Sequence, residues 1–204
     1  MENLLYGFEV NISNYDLKYV FLWILLMSIL NVIVGSYIEK RKMSHIYFKL
    51  IRLRRFSKWW YKLCGSILLL STVLMILLFG IVILCQYVLY PEGFEKIVLI
   101  KIVKAFFVFL MSFITMNMFQ IWLINSANGE KFSFLIVTVI EVISLYFGLI
   151  SEQIAPWLPG SFMMYYRSDF FIGTGFNVAA LFIIQFAFDI ILFFSGYKIM
   201  MRRK

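Results

Sequence analysis

IEKRKMSHIYFKLIRLRRFSKWWYK, residues 38–62, is the stretch from which the rest of the chain is read. It carries Lys40, Arg41, Lys42, Lys49, Arg52, Arg54, Arg55, Lys58 and Lys62, nine of the chain's 19 lysines and arginines, against one acid, Glu39. Long apolar runs flank it on both sides. A basic loop between two runs of spanning length stays on the cytoplasmic side of a membrane, so this segment sets the orientation expected of every other. Met43, Ile46, Leu50, Leu53, Phe56, Trp60 and Leu63 recur at spacings of three or four, and His45, Lys49, Arg52, Arg55 and Lys62 recur likewise on another face. The pattern predicts a cytoplasmic amphipathic helix over 38–62. Two uses fit such a helix: lying in the membrane interface and holding anionic lipid, or docking a cytoplasmic subunit.

Composition agrees with a membrane setting. Of 204 residues, 63% are hydrophobic and 15% charged, whereas a soluble domain is nearer half apolar and a quarter charged. Several apolar runs reach spanning length, as a polytopic membrane protein requires. The formal net charge of +8 does not point to nucleic acid, because the basic residues sit at membrane borders. The 23 Phe and 12 Tyr suit lipid-facing surfaces and interface belts. Met1-Glu2-Asn3 opens the chain without a basic n-region or a following apolar h-region, so no cleavable signal is expected and the first span does the targeting. Cys64 and Cys85 fall on one helix about 30 Å apart, too far to pair within the chain.

The expected fold is all-α, a single transmembrane domain over 1–204 with five spans. These are Leu17–Tyr37, Leu63–Tyr90, Ile97–Ile124, Phe132–Ile150 and Phe176–Tyr197. Residues 1–16 form an outer N-terminal segment and 151–175 an outer aromatic segment. Lys131, Lys198, Arg202, Arg203 and Lys204 join the nine loop cations on the inner side, leaving Lys18, Lys96, Lys101, Lys104 and Arg167 elsewhere. Pro91, Pro156 and Pro159 all lie in outer connections. The N-terminus is therefore expected outside and the C-terminus in the cytoplasm.

Two constellations carry chemistry. Within the membrane, Glu141, Asp189, Asn117 and Ser71-Thr72 fall at similar depth, with Asn31 slightly nearer the inside. Gln185 lies one turn before Asp189, and Gln120 shares the face of Asn117. An acid at mid-membrane costs about 2.5–3.5 kcal/mol on insertion scales, so it should face the bundle or a cavity. The layer either binds the helices together or lines a path, with Asn117, Glu141, Gln185 and Asp189 as its candidate residues. Outside, Ile154 to Ser168 is too broken by proline to span and too apolar for a free loop. Trp157, Phe162, Tyr165 and Tyr166 suit a re-entrant or interfacial piece, with Arg167 at the headgroups.

Catalytic signatures are missing. No G-x-x-x-x-G-K-[ST] loop is present, so ATP hydrolysis is not expected of this chain. G-x-S-x-G, H-E-x-x-H and a Cys/His metal cluster are absent too. His45 and Cys64 stand 19 residues apart, one in an interfacial helix and one in a span, which does not make a catalytic pair. No enzyme activity, metal or cofactor of its own is expected.

The layout resembles the permease subunits of ABC-2-type transporters: a basic amphipathic helix after a span, a broken aromatic outer segment before the last span, a basic inner C-terminus. The run Trp157-Leu158-Pro159-Gly160-Ser161-Phe162-Met163-Met164-Tyr165-Tyr166-Arg167-Ser168 is similar to that segment of small Gram-positive permeases that export peptide antibiotics or confer immunity to them. The resemblance covers residues 17–204. It implies an exporter subunit in the cell membrane of a Gram-positive bacterium. Tyr47, Lys49, Arg52, Arg55 and Lys58 would couple to a separate cytoplasmic ATPase that binds the ATP. Trp157, Pro159, Gly160 and Arg167 would form the outer gate. The family usually has six spans and an inner N-terminus. The chain departs from that, so its partner would be a second copy or a longer permease. The rival reading is a non-transporting immunity or scaffold subunit that binds a toxin or partner in the bilayer.

Overall fold

The computed structural model of the chain describes residues 17–43, 56–89, 96–126, 132–150 and 177–202. Among these residues every regular element is helical. They form α1 (Leu17–Met43), α2 (Phe56–Leu89), α3 (Lys96–Ser126), α4 (Ser133–Ile150) and α5 (Val178–Arg202). Four of them, α1, α2, α3 and α5, are long and apolar enough to cross a membrane. α4 is apolar but shorter: its 18 residues measure about 27 Å, just under a hydrocarbon core of about 30 Å. The fold is thus the expected all-α polytopic bundle, with four long spans and one shorter apolar helix.

Helix ends follow local chemistry. The described part of α2 runs to Leu89, and Pro91 follows two residues later in the sequence, where proline disfavours helical backbone in the residue before it. α5 is capped by Asn177, whose Oδ1 accepts the Ala180 amide at 3.0 Å, the usual service of an N-cap side chain. α1 continues past Tyr37 to Met43, α2 begins at Phe56 rather than Leu63, and α5 continues past Tyr197 to Arg202. Charge does not end a helix. Lys and Arg stems lie along apolar surface while their heads reach water, and no Gly or Pro interrupts these ends. Both flanks of the basic stretch are therefore helical ends of spans. Residues 44–55, the middle of the expected amphipathic helix, lie outside the described residues, as do the outer segments 1–16 and 151–175.

α3 is the central helix. It packs on all four others, most extensively on α5, while α1 lies against α4. Its span is 56% buried, against 22% for α2 and for α5. The cause is in its sequence: Ser112, Thr115, Asn117, Gln120 and Asn125 are all buried, and polar side chains are costly against lipid. The core around it is large and aromatic. Phe79 of α2 meets Phe106 and Phe109 of α3 edge-on, with ring centroids 5.3 and 6.1 Å apart, a favourable arrangement of ring quadrupoles. The opposite faces of α2 and α5 stay exposed. Leu69, Leu84 and Val88 on α2 and Ile183, Ile191 and Phe194 on α5 form apolar surfaces. In water such patches would be exceptional; beside lipid tails they are the ordinary outer surface.

Trp60 takes a different place from the lipid-interface side of an amphipathic helix. It is buried in the bundle, 1% exposed, with its ring 5.9 Å from that of Phe193. Lys101 and Lys104 are exposed on α3, so they lie on the outer surface and not in the core. Cys64 and Cys85 are both free and both on α2, as expected.

Candidate functional site

The polar residues of the membrane layer come together around α3 in two networks. The first joins α4, α1 and α3. Asn31 donates Nδ2 to Glu141 Oε2 at 2.8 Å and to Thr138 Oγ1 at 3.2 Å. Gln120 donates Nε2 to the backbone oxygen of Asn31 at 3.1 Å. Glu141, Asn31 and Gln120 are fully buried. Gln120 can approach the α1 backbone because residue 35 is glycine: a Cβ there would stand 2.7 Å from Gln120 Nε2. Close on the same side of α3, Asn117 donates Nδ2 to Ser71 Oγ of α2 at 2.9 Å.

The second network joins α3 to α5. Thr115 donates Oγ1 to Asp189 Oδ2 at 3.2 Å, and Gln185 donates Nε2 to Ser112 Oγ at 2.8 Å. Helical spacing explains the division. Ser112 and Thr115 share one face of α3, Asn117 and Gln120 another. The expected residues thus face different neighbours: Glu141 belongs to the first network, Gln185 and Asp189 to the second, and Asn117 bridges α3 to α2. Thr72, read beside Ser71, takes no part; it donates back to the Leu68 carbonyl at 2.9 Å.

Sequence reasoning missed Thr138, Ser112 and Thr115. Their signal was present: Thr138 stands one turn before Glu141, and Ser112 and Thr115 are three apart in an otherwise apolar run. Lys58 is exposed in the first turn of α2. Tyr47, Lys49, Arg52 and Arg55 lie outside the described residues, as do Trp157, Pro159, Gly160 and Arg167.

The layer is rich in acceptors. Asn31 Oδ1, Asn117 Oδ1, Gln120 Oε1, Glu141 Oε1, Gln185 Oε1 and Asp189 Oδ1 are buried and without a hydrogen-bond partner. Three buried nitrogens, Trp23 Nε1, Trp60 Nε1 and Asn125 Nδ2, are in the same condition among the described residues. Buried polar groups are normally satisfied, so an excess of this kind calls for an account. Unpaired oxygens in a low dielectric attract donors: protons, water or an ammonium group. No three His, Cys, Asp or Glu cluster as a metal site would need among the described residues.

No family model, curated protein or solved structure matches this chain.

Proposed function

We propose that this chain is the membrane-spanning subunit of an ABC-type exporter for peptides or other amphipathic molecules, driven by a separate cytoplasmic ATPase. The observation that carries this reading is the acceptor-rich layer, with six buried oxygens on four helices in search of donors. A bundle held together only by its polar groups gains little from acceptors it leaves unpaired, whereas a path for substrates with amide or ammonium donors uses them. Asn117, Glu141, Gln185 and Asp189 would line that path. Trp157, Pro159, Gly160 and Arg167 would close its outer end. A second copy of the chain, or a longer permease, would complete it. The second reading, a non-transporting immunity or scaffold subunit, draws on the other half of the same geometry. The donor groups of Asn31, Asn117, Thr115 and Gln185 already serve bonds between side chains of different helices.

The coupling role gives a direct test. Lys49, Arg52 and Arg55 share a face by helical spacing. Replacing all three with Gln keeps Lys40, Arg41, Lys42, Arg54, Lys58 and Lys62, enough to hold the orientation. We expect normal membrane insertion, weak ATPase capture and lost transport. The measurement is ATPase copurified per inserted permease. An unchanged ratio would assign the basic stretch to lipid anchoring, because the remaining charges still attract anionic lipid at about 1 kcal/mol each. A chain that purifies alone and protects cells without any ATPase would favour the immunity reading.

Orientation gives a second test. With the basic stretch inside, cysteines introduced at Asn14, Glu92 and Ser151 should react with an impermeant thiol reagent on intact cells. Cysteines at Ser44 and Asn128 should not. Labelling at Ser44 would reverse the whole topology.

A further inference from the structure

A groove of about 590 Å³ opens on the bundle surface between α1 and α2, at the ends of both helices that lead into the basic stretch. Its rim and its floor differ in chemistry. Arg41 of α1 and Lys62 of α2 stand at the rim, both exposed. Arg41 is held there by Tyr37: its Nε donates to the Tyr37 hydroxyl at 3.2 Å, and its guanidinium carbon lies 5.3 Å from the ring centroid. Below the rim the lining turns apolar, with Leu69, Leu70 and Val73 of α2. Lys62, Ser66, Leu69 and Val73 follow one another at spacings of four, three and four. They therefore form one stripe about 16 Å long, which descends from the charged end toward the membrane interior. Gly65 deepens the groove: a Cβ there would meet nothing within 4 Å.

We infer that this groove binds one anionic phospholipid, its phosphate between Arg41 and Lys62 and an acyl chain along Leu69 and Val73 over Gly65. The charge pattern selects the occupant. Two cations fit one phosphate diester, and an apolar trough continuing below them fits a hydrocarbon chain, which a soluble phosphate lacks. A guanidinium is suited to phosphate by its planar array of donors, and stacking on Tyr37 pre-organises it. Position agrees, because anionic lipids populate the cytoplasmic leaflet, where a basic stretch of this kind resides. A zwitterionic lipid offers the same chains but brings its own cation to the rim. The site is distinct from the acceptor-rich layer around α3 and does not depend on transport.

The test uses the full chain purified in mild detergent, with bound lipids counted by native mass spectrometry. Phosphatidylglycerol and phosphatidylcholine of identical chains are offered at equal concentration. The wild type is expected to hold one phosphatidylglycerol in preference to phosphatidylcholine. The double variant Arg41→Gln/Lys62→Gln should lose roughly thirtyfold of that preference, the loss expected from two cations near a lipid surface. Gly65→Leu keeps both cations, has open space at its Cβ and places a branched side chain in the trough, and it should lose the tightly held lipid. Lys198→Gln, which removes an exposed cation outside the groove, should behave as the wild type. Glycerol phosphate should not displace the lipid. The assignment fails if the wild type holds both lipids equally, if Gly65→Leu retains phosphatidylglycerol as the wild type does, or if glycerol phosphate competes at equal concentration.

Discussion

Asn31→Leu is expected to destabilise the bundle by about 1–3 kcal/mol, while Glu141→Gln leaves it intact. The two residues form one unit, yet their replacements have opposite consequences. Asn31 Nδ2 donates the hydrogen bond that Glu141 Oε2 receives, at 2.8 Å, and the carboxyl is fully buried. Leucine at 31 fills similar space but offers no donor. The carboxyl is then left in a low-dielectric interior without a partner, and removing one member of such a pair is costlier than replacing both. Thr138 loses its bond to the same amide. Glutamine at 141 keeps the length of the side chain and an oxygen for Asn31 Nδ2. It also adds an N–H, and Asn31 Oδ1 is a buried acceptor with no partner. The acid–amide contact becomes an amide–amide pair with both oxygens engaged. The measurements are the yield of monodisperse protein and the thermal midpoint in detergent. If Glu141→Gln were as damaging as Asn31→Leu, the carboxyl itself would be indispensable to the fold, and the pairing argument would be wrong. If Glu141→Gln is stable, its transport activity separates the two functional readings. Lost transport supports a path, and retained transport supports a scaffold.

Gly196→Ala is expected to cost about 1–3 kcal/mol although it adds a single methyl group. A Cβ at 196 would stand 2.9 Å from Cη2 and 3.0 Å from Cζ2 of Trp60. Neither neighbour yields easily. The indole is rigid and buried, with Phe193 beside it at 5.9 Å and Trp122 Cδ1 at 3.9 Å from the new carbon. Gly196 is therefore the notch on α5 that admits the Trp60 ring of α2. Small residues serve this purpose where membrane helices meet closely. Gly80→Ala is the control: it meets nothing within 4 Å, so it should be neutral or stabilise by up to about 1 kcal/mol through helix propensity. Trp60→Phe removes the part of the ring that clashes. The double variant Gly196→Ala/Trp60→Phe should lose less stability than the two single changes added together. Strict additivity of the thermal or denaturant losses would mean that the notch and the ring do not interact.

The glycines mark the limit of what sequence can convey. Gly35, Gly65, Gly80 and Gly196 look alike as isolated glycines in apolar helices. Two of them are open to added volume and two are not, because the deciding atoms belong to other helices. Trp60 carries the same lesson. Its spacing with Phe56 and Leu63 places it on an apolar face, but whether that face meets lipid or protein depends on where α5 packs.

The helices themselves were legible because a hydrocarbon environment leaves the backbone almost no alternative. Each peptide group must be satisfied within its own segment, so a long apolar run such as Leu63 to Leu89 has to be helical wherever it sits. The need for Glu141 and Asp189 to face inward followed from the same solvent. Which partner each would meet did not. Helical spacing places Gln185 with Asp189 and Asn117 with Gln120, but it carries no information about which neighbouring helix those faces turn to. Packing around α3 made that choice. It set Asn31 against Glu141, Asn117 against Ser71, and Thr115 against Asp189. It also left the excess of unpaired oxygens that no single helix could reveal. Local hydrogen bonding and solvent determine a membrane helix; the pairing of its polar groups is a property of several helices at once, and only the tertiary structure decides it.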